Sequence, residues 1–254
     1  MDHKIIAIIQ ARSGSTRLPG KVLLDLQGKS VIQHVADRVS ASKLVDKTYV
    51  ATTLLEEDLA IVRECSKIGV GIFCGSKDDV LDRYYQLAKI AKPKHIVRIT
   101  ADCPVIDPQV IDHVITKHLE ADADYTSNTL EVPYPDGQDV EVFKFSALNK
   151  AWKSSSLASE REHVTPYIKF NEDEFKIEKV LASEEHSKYR WTLDEIEDFK
   201  LISIFYDELY SKNSLFSMKD ILELHKHKKS LFHINSMHIR EEGYRKSLEN
   251  DKVI

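Results

Sequence analysis

Short apolar runs alternate with longer amphipathic segments through the first half of the sequence, and this alternation restricts the fold more than any other feature. The apolar runs are predicted strands over residues 4–9, 47–53, 70–73 and 95–100. The amphipathic segments are predicted helices over residues 31–39, 56–67, 79–90 and 108–119. Strands joined by helices form a parallel sheet with helices on its faces, because parallel neighbours need a long crossover connection. The sequence therefore predicts an α/β fold with a mixed, mostly parallel sheet.

A basic loop, QARSGSTRLPGK, follows the first predicted strand over residues 10–21. Its cations and glycines are Arg12, Arg17, Lys21, Gly14 and Gly20. Cations beside small residues with accessible backbone N–H groups form polyphosphate sites, and ligands of open α/β sheets bind at the carboxyl ends of strands. The loop therefore indicates nucleotide binding. The alternative is an ordinary basic surface turn between a strand and a helix.

The spacing of this loop excludes the two best-known phosphate-binding patterns. In G-x-x-x-x-G-K-[ST], a hydroxyl residue follows the lysine and the glycines lie closer together. Here five residues separate Gly14 from Gly20, and Val22 follows Lys21. The dinucleotide pattern G-x-G-x-x-G requires a third glycine, which the loop lacks. The loop is therefore a different kind of phosphate site.

Two aspartates follow predicted strands at points where the chain turns towards a helix. Asp102 comes after the fourth predicted strand, and Asp194 comes after a predicted strand over residues 188–193. Carboxylates at the same sheet edge as a triphosphate loop are suited to Mg²⁺, which takes oxygen ligands. We therefore expect Asp102 and Asp194 to bind Mg²⁺. The alternative is that they cap helices 108–119 and 195–210, since Asp does this commonly.

The stretch over residues 122–170 departs from the alternation and is predicted to be a β-rich insertion. It contains predicted strands over 125–129 and 140–143, a turn over 133–137 and a helical stretch over 146–153. Its hydrogen-bonding side chains are Asp136, Gln138, Asp139, Glu141, Arg161, Glu162 and His163. Convergent polar groups of this kind suit a hydroxylated or carboxylated small molecule. The alternative is that they are solvated residues of a hairpin.

The last third of the sequence predicts further elements but fewer functional residues. It contains a predicted strand over 175–181, helices over 195–210 and 218–227, and a polar turn over 241–245 whose role the sequence does not indicate. No internal repeat or low-complexity linker is present in the sequence. We therefore expect residues 1–254 to form one domain, with residues 212–254 as a C-terminal helical extension.

Composition limits the class of protein. Of 254 residues, 42% are hydrophobic and 30% are charged, and the formal net charge is −5. This is the balance of a globular domain, and the acidic excess argues against nucleic-acid binding. The five apolar residues after Lys4 are too few for a signal peptide or a membrane span, so we expect a cytoplasmic protein without a membrane partner.

The three cysteines, Cys65, Cys74 and Cys103, are widely spaced and match no zinc pattern. We expect them to be reduced and mostly buried thiols. A catalytic Cys103 is the alternative, although a reactive thiolate normally needs a neighbouring His or Lys.

Residues 11–21, ARSGSTRLPGK, resemble the signature loop of the sugar-activating cytidylyltransferases, which include the CMP-KDO and CMP-sialic acid synthetases. Within that group the chain looks closest to the branch of the spore coat polysaccharide biosynthesis protein F. Further matching stretches are GSKDDVLDRY (75–84), RITADCP (98–104), YPDGQDVEV (134–142), REHVTPY (161–167) and WTLD (191–194). The resemblance thus covers nearly the full length.

The resemblance implies a nucleotide-diphospho-sugar transferase fold, assembled as a homodimer through the inserted β region, with CTP and Mg²⁺ as ligands. It places Arg12 and Lys21 on the triphosphate, and Asp102 and Asp194 on the metal. The other implied nucleotide contacts are Ala11, Ser13, Gly14, Ser15, Thr52, Arg83 and Thr100. The implied sugar contacts are Asp136, Gln138, Asp139, Glu141, Arg161 and His163.

The implied reaction is transfer of CMP from CTP to a sugar acid or related acceptor, with release of pyrophosphate, for surface or spore-coat polysaccharide. Lys21, Arg12 and Mg²⁺ would stabilise the charge that develops on the phosphates, and His163 is a candidate general base. Two other hypotheses stay open: a glycosyltransferase that binds a finished nucleotide sugar, and a catalytically silent nucleotide-binding protein. The sequence does not indicate the acceptor sugar or how strictly CTP is preferred.

Overall fold

The computed structural model describes residues 4–131, 134–240 and 242–254. The strands in these residues are β1 (Ile5–Gln10), β2 (Asp25–Leu26), β3 (Lys29–Ser30), β4 (Lys47–Thr53), β5 (Gly71–Gly75), β6 (His95–Thr100), β7 (Tyr125–Ser127), β8 (Glu141–Lys144) and β9 (Ile177–Lys179). Strands β2 and β3 form a small hairpin. The remaining seven strands in the described residues form one sheet in the order β5-β4-β1-β6-β8-β7-β9.

The α-helices flank this sheet. They are α1 (Val31–Ser40), α2 (Leu59–Ile68), α3 (Val80–Ala91), α4 (Pro108–Ala121), α5 (Phe145–Ser154), α6 (Ala158–His163), α7 (Pro166–Lys169), α8 (Ile196–Leu209), α9 (Met218–His227) and α10 (Glu242–Glu249). Short 3₁₀ helices span Lys21–Leu23, Glu56–Asp58 and Lys229–His233. Across the described ranges, no helix combines the length and the apolar character that a membrane crossing requires.

The central strand β1 fixes the edge at which the polar loops meet. It pairs in parallel with β4 on one side and β6 on the other, so that Gln10 lies opposite both Ala51 and Thr100. Strand β8 is antiparallel to both of its neighbours, whereas the other strands share one direction. The carboxyl ends of β1, β4 and β6 therefore lie together, and the predicted mixed, mostly parallel sheet is confirmed.

The core lies on both faces of the sheet, as expected for a parallel sheet covered by helices. Along β1, Ile5, Ala7 and Ile9 belong to one apolar cluster with residues of α1 and α4. Ile6 and Ile8 point to the other face and belong to a second cluster with residues of α3 and α5. A third cluster surrounds α8 and includes the fully buried Trp191. This packing makes the carboxyl edge of the sheet a rigid support for the loops.

The predicted strand over residues 188–193 is wrong. Its backbone pairs with two loops instead of with a strand, through a single bridge between Asp136 and Arg190. The Trp191 N–H donates to the Asp136 carbonyl at 2.6 Å, and the Leu193 N–H donates to the Asp102 carbonyl at 2.8 Å. The segment therefore ties the two loops together.

Two further regions differ from the sequence-based expectation. Within 122–170, the described residues 122–131 and 134–170 do not build a separate β-rich unit. Strands β7 and β8 join the main sheet, and α5, α6 and α7 make up most of the rest. Of the predicted turn over 241–245, residues 242–245 are instead the start of α10. Glu241 lies outside the described residues, as does Pro133 of the other predicted turn.

Candidate active site

A cavity of about 560 Å³ opens at the carboxyl edge of β1 and β6. The basic loop forms one wall of this cavity, which we call the nucleotide half. The opposite wall, which we call the acceptor half, includes Asp136, Asp139, Glu141, His163, Lys169 and Tyr244. The turn after β6 and the turn before α8 lie between the two halves and contribute Asp102 and Asp194.

Lys21 lies between the two predicted metal ligands. Its ammonium is 2.8 Å from Asp102 Oδ2 and 2.6 Å from Asp194 Oδ1. Gly20 directly before it has a φ of 67°, a left-handed conformation that glycine adopts without strain and that turns the loop into the 3₁₀ helix. The three side chains come from separate parts of the chain, so only the fold brings them together.

The charges of this cluster reinforce one another. Burial alone would raise the pKa of Asp102, but the Lys21 ammonium outweighs it and holds that pKa at about 2. Burial would lower the pKa of Lys21, whereas Asp102 and Asp194 together raise it. Both Asp102 and Lys21 are therefore charged near neutral pH, and the two carboxylates present their oxygens to one cation.

The position of Asp194 is fixed by two arginines. Arg17 Nη2 is 3.1 Å and Arg190 Nη2 is 3.4 Å from Asp194 Oδ2. Arg190 is itself held by Asp198, at 2.9 Å, and by Asp136, at 3.2 Å. The alternative role of Asp194 as a helix cap is not observed, because the N-cap of α8 is Glu195, and Asp198 accepts the backbone N–H groups of Asp194 and Glu195.

Asp102 is not a helix cap either. The N-cap of α4 is Asp107, whose carboxylate accepts the N–H of Gln109 at 2.8 Å. The backbone carbonyl of Asp102 accepts the Leu193 N–H, so the turn after β6 is tied to the turn before α8. The Asp102 carboxylate is thereby left to face Lys21 and the cavity.

The Asp136 carboxyl differs from the other acids of the cavity. Burial, and next the negative charge of Asp139, raise its pKa to about 7. Gly137 beside it has a φ of 101°, and a Cβ there would lie 2.6 Å from the Trp191 carbonyl carbon. Because only glycine fits, this turn packs directly on the backbone that precedes Asp194.

Glu141 is a buried anion with three partners. It forms a salt bridge with Arg98, accepts the Tyr125 hydroxyl at 2.6 Å and accepts the Thr165 hydroxyl at 2.5 Å. Burial would raise the pKa of Glu141, but Arg98 outweighs it and lowers that pKa. These contacts fix Glu141 as a rigid part of the acceptor wall.

His163, Lys169 and Tyr244 form the outer side of the acceptor half. The rings of His163 and Tyr244 meet edge to face with centroids 4.9 Å apart. The ammonium of Lys169 lies 4.9 Å from the centre of the Tyr244 ring. Burial lowers the pKa of His163 to about 4. His163 is thus neutral near pH 7 and a weaker base than an ordinary histidine.

A second polar region lies behind the basic loop. Asp58 accepts the Ser13 N–H at 2.6 Å and also the Thr53 hydroxyl, so it holds the loop against the end of β4. Three groups nearby are buried and have no hydrogen-bond partner among the described residues: Ser13 Oγ, Thr52 Oγ1 and the guanidinium of Arg83. Arg83 is 1% exposed. Buried polar groups without partners are costly, which is typical of a site built for a ligand.

The cavity brings together most of the side chains that the sequence indicates, but not all of them. Ala11, Arg12, Gly14, Ser15, Lys21, Thr100, Asp102, Asp136, Asp139, Glu141, His163 and Asp194 line it. Ser13, Thr52 and Arg83 lie behind the loop instead. Gln138 and Arg161 are used elsewhere: the Gln138 amide bonds the backbone of Val105 and Asp107, and Arg161 bonds Asp79 and the carbonyls of Trp152 and Ser155. We therefore no longer expect those two side chains to contact a sugar.

Other cavity residues were not identified from the sequence. The sequence indicates Arg17 only as one of the cations of the basic loop, whereas the structure pairs it with Asp194. Arg190 lies four residues before Asp194. This spacing alone does not predict a salt bridge, because whether the two side chains meet depends on the local backbone conformation. Lys169 and Tyr244 carry no local sequence signal, since they are far apart in the sequence and only the fold places the Lys169 ammonium over the Tyr244 ring.

Cys103 does not have the environment of a nucleophile. It is 3% exposed, and burial, together with the charge of Asp102, raises the pKa of its thiol well above the usual value. Cys65, Cys74 and Cys103 all carry free thiols, as expected.

The donor set at Asp102 and Asp194 fits a divalent cation. Both carboxylates already hold one positive charge, the Lys21 ammonium, at hydrogen-bonding distance. Among the described residues, no cluster of three or more His, Cys, Asp or Glu side chains could hold a metal. Mg²⁺ is commonly held by one or two carboxylates, with the remaining ligands from water and substrate phosphates. Two carboxylates beside a polyphosphate loop match that pattern.

Known proteins provide an independent comparison. The family described as Cytidylyltransferase matches residues 6–221. The spore coat polysaccharide biosynthesis protein SpsF of Bacillus subtilis is 35% identical over 81% of this chain and 88% of its own. The 3-deoxy-manno-octulosonate cytidylyltransferase of Trichlorobacter lovleyi is 39% identical over 46% of this chain and 45% of its own.

A solved structure agrees over a larger share of the chain. The cytidylyltransferase of Leptospira borgpetersenii superposes with a TM-score of 0.86 and 34% sequence identity, covering 91% of this chain and 97% of that one. The sheet that carries the cavity is therefore shared with a protein of the same family. The chain belongs to the cytidylyltransferase family and is a nucleotidyltransferase.

Proposed function

We propose that this protein transfers CMP from CTP to a sugar acid or a related acceptor and releases pyrophosphate. The observation that carries the proposal is the cluster of Lys21, Asp102 and Asp194 beside the basic loop. It supplies a buried cation and two carboxylates at the sheet edge where nucleotides bind in open α/β folds. The relatives named for sugar-acid cytidylyl transfer and for polysaccharide biosynthesis support this choice of reaction.

In this reaction an acceptor oxygen attacks the α-phosphorus of CTP and releases its proton to solvent water. A new P–O bond forms, the bond to the oxygen that bridges the α- and β-phosphates breaks, and pyrophosphate leaves with that electron pair. Arg12 and Lys21 are positioned on the nucleotide half, where they stabilise the negative charge that develops on the phosphates. Asp102 and Asp194 would hold Mg²⁺, which supplies further charge stabilisation when bound.

The buried groups behind the loop form our proposed binding site for the cytosine base of CTP. Ser13 Oγ, Thr52 Oγ1 and the Arg83 guanidinium offer hydroxyl and guanidinium groups for the polar edge of cytosine. Ala11, Gly14, Ser15 and Thr100 line the cavity, and we place the ribose and phosphates against them. An arginine buried without a partner favours a bound polar ligand over simple packing.

The acceptor half is our proposed sugar site, formed by Asp136, Asp139, Glu141 and His163. Its carboxylates are acceptors for sugar hydroxyls. The neutral His163 is placed as a hydrogen-bonding group rather than as a strong base, because burial lowers its pKa to about 4. We further propose, as the family resemblance implies, that the enzyme is a cytoplasmic homodimer of one-domain chains that acts in surface or spore-coat polysaccharide synthesis.

Pyrophosphate release tests the reaction directly. Purified protein is incubated with CTP, Mg²⁺ and a panel of 2-keto-3-deoxy sugar acids. We expect release that depends on both CTP and acceptor, and a loss of about 100-fold or more in Lys21→Ala, since removal of a transition-state charge contact costs this much. Lys29→Ala serves as the matched control, because Lys29 pairs with Asp37 away from the cavity.

Two outcomes would count against the proposal. Full activity of Lys21→Ala would show that the cluster of Lys21, Asp102 and Asp194 does not have the proposed role in catalysis. Stronger thermal stabilisation by UDP-sugars than by CTP would favour a glycosyltransferase, because ligands stabilise the folded state according to their affinity.

A further inference from the structure

The C-terminal segment, described over residues 235–240 and 242–254, contributes to the cavity wall and is anchored at both ends. At one end, the Asn235 amide donates to the Arg190 carbonyl at 2.9 Å and to Asp198 at 2.8 Å. At the other end, residues 251–254 pair with the start of α6, where Ser159 Oγ donates to Asp251 at 2.6 Å. The segment lies outside the residues that match the family, which end at 221.

Between these anchors the segment contributes to the cavity wall. Glu242, Gly243 and Tyr244 of α10 line the cavity. Glu242 is 3.3 Å from Arg17 of the basic loop, and His163 Nε2 is 3.0 Å from Ser247 Oγ. Contacts to both halves hold α10 in one position over the acceptor half.

Lys169 differs from the other cations of the acceptor half. Arg98 pairs with Glu141, Arg190 pairs with Asp136 and Asp198, and Arg240 pairs with Asp139. No salt bridge joins the Lys169 ammonium to a carboxylate within residues 4–131, 134–240 and 242–254. It lies instead 4.9 Å from the ring centre of Tyr244 and 5.0 Å from that of Phe170.

Contact with aromatic rings holds a cation in place without using its N–H groups, which stay available to donate hydrogen bonds to a ligand. The Lys169 ammonium has three such donors, and its side chain is half-buried and lines the cavity. The carboxylates Glu141, Asp136 and Asp139 already engage Arg98, Arg190 and Arg240. Of these four cations, Lys169 is the one that an acceptor carboxylate can bind without displacing a salt bridge. An acid group of the acceptor is therefore directed to one point.

We propose that the C-terminal segment selects the acceptor, with Lys169, positioned by the Tyr244 ring, binding the carboxylate of the acceptor. This inference rests on the proposed cytidylyl transfer and specifies which residues choose its second substrate. Lys169 contacts the acceptor, whereas Tyr244 acts through Lys169 and is a positioning residue. The side chain of Glu242 links this wall to the nucleotide half through Arg17.

Steady-state kinetics with paired acceptors test the inference. Each sugar acid, beginning with 3-deoxy-manno-octulosonate, is compared with its amide, which has the same shape without the charge. We expect the wild-type enzyme to prefer the acid, and Lys169→Met to raise KM for the acid about tenfold or more while KM for CTP stays unchanged. Lys169→Arg is expected to restore most of the preference.

Variants at Tyr244 separate positioning from a general loss of structure. Tyr244→Ala is expected to raise KM for the acid and to reduce the preference over the amide, whereas Tyr244→Phe keeps the ring and the preference. Lys153→Ala and Arg245→Ala are matched controls, since both residues are exposed and neither lines the cavity. The thermal shift on adding CTP reports whether each variant is folded.

The outcomes distinguish this inference from the proposed reaction. Equal use of acid and amide by the wild-type enzyme, or an unchanged KM for the acid in Lys169→Met, overturns the inference while cytidylyl transfer stands. Binding of CTP without pyrophosphate release for any acceptor overturns the proposed reaction, and the inference with it.

Discussion

The Arg190 guanidinium donates two hydrogen bonds to the Asp198 carboxylate, from Nε at 2.9 Å and from Nη2 at 2.9 Å. Asp198 is fully buried and Arg190 is 8% exposed. The same carboxylate accepts the backbone N–H of Asp194 at 3.0 Å. The Arg190–Asp198 pair therefore sets the position of Asp194, a proposed metal ligand, although Asp198 does not line the cavity.

Replacement of Asp198 tests this support. Asp198→Ala leaves the buried Arg190 without its bidentate partner, so we expect the free energy of unfolding in urea to fall by about 3 kcal/mol or more. We also expect kcat to fall, because Asp194 loses its fixed backbone position. Glu120→Ala, at an exposed pair with Lys117, is the control and should leave the urea midpoint unchanged. An Asp198→Ala protein with wild-type stability would contradict the role of this pair.

The response to Mg²⁺ tests the position of Lys21. Its ammonium already occupies oxygens of Asp102 and Asp194. In Lys21→Ala the two carboxylates repel each other, so we expect a lower Tm than in the wild type without metal. Addition of Mg²⁺ alone should then raise Tm more in the variant, because the cation no longer competes with the ammonium. Identical Mg²⁺ shifts in both proteins would argue that the metal binds elsewhere.

Replacement of Arg83 tests the proposed cytosine site, because it should affect the stability of the free protein and the binding of CTP differently. Its guanidinium is buried without a hydrogen-bond partner among the described residues, and burial lowers its pKa. Arg83→Met removes this cost, so we expect unchanged or higher stability without ligand and a smaller thermal shift on adding CTP. Arg63→Ala, on the neighbouring α2, is the control. A full CTP shift in Arg83→Met would exclude Arg83 from the nucleotide site.

Buried histidines predict how stability depends on pH. Burial, and next the neighbouring His95, lower the pKa of His118 to about 4; burial also lowers that of His225 to about 4. Because both are neutral in the folded state, their contribution is complete above the ordinary pKa of about 6.5 and is lost as pH falls towards 4. Asp136, whose pKa is raised to about 7 by burial, changes stability in the opposite direction over this range. Because the two histidines outweigh this one carboxyl, we expect the urea midpoint to decline across this window.

The decline can be assigned by substitution. His118→Gln removes one titrating group, so its urea midpoint should depend less steeply on pH between about 6.5 and 4 than that of the wild type. Asp102, with a pKa of about 2, loses its contribution only at lower pH and does not interfere. An unchanged slope in His118→Gln would show that other groups dominate.

The sequence predicted well those features that repeat along the chain. The alternation of apolar runs and amphipathic segments predicted the parallel part of the sheet, because strand and helix periodicities are local properties. The start of α1 shows a local signal of the same kind, since the Ser30 hydroxyl accepts the Gln33 N–H at 3.3 Å. Where a segment bonds to loops rather than to a strand, as over residues 188–193, the same reasoning failed.

The candidate site was predictable only in part. The basic loop and Asp102 follow strands that a pattern identifies, and parallel strands place their ends at one edge. Gln138 and Arg161 are residue types that often bind ligands. In the structure, however, Gln138 forms hydrogen bonds with backbone groups, and Arg161 donates to Asp79 and to a backbone carbonyl. A list of polar residues does not indicate which of them are already satisfied inside the fold.

The sequence by itself determined the fold class, the basic character of residues 10–21 and the presence of one carboxylate, Asp102, after a strand. Only the tertiary structure decided that Lys21 lies between Asp102 and Asp194, and that Tyr244 meets Lys169 over the acceptor half. The physical reason is distance along the chain. These contacts join segments many residues apart, so they depend on how helices pack on the sheet, which no local periodicity encodes.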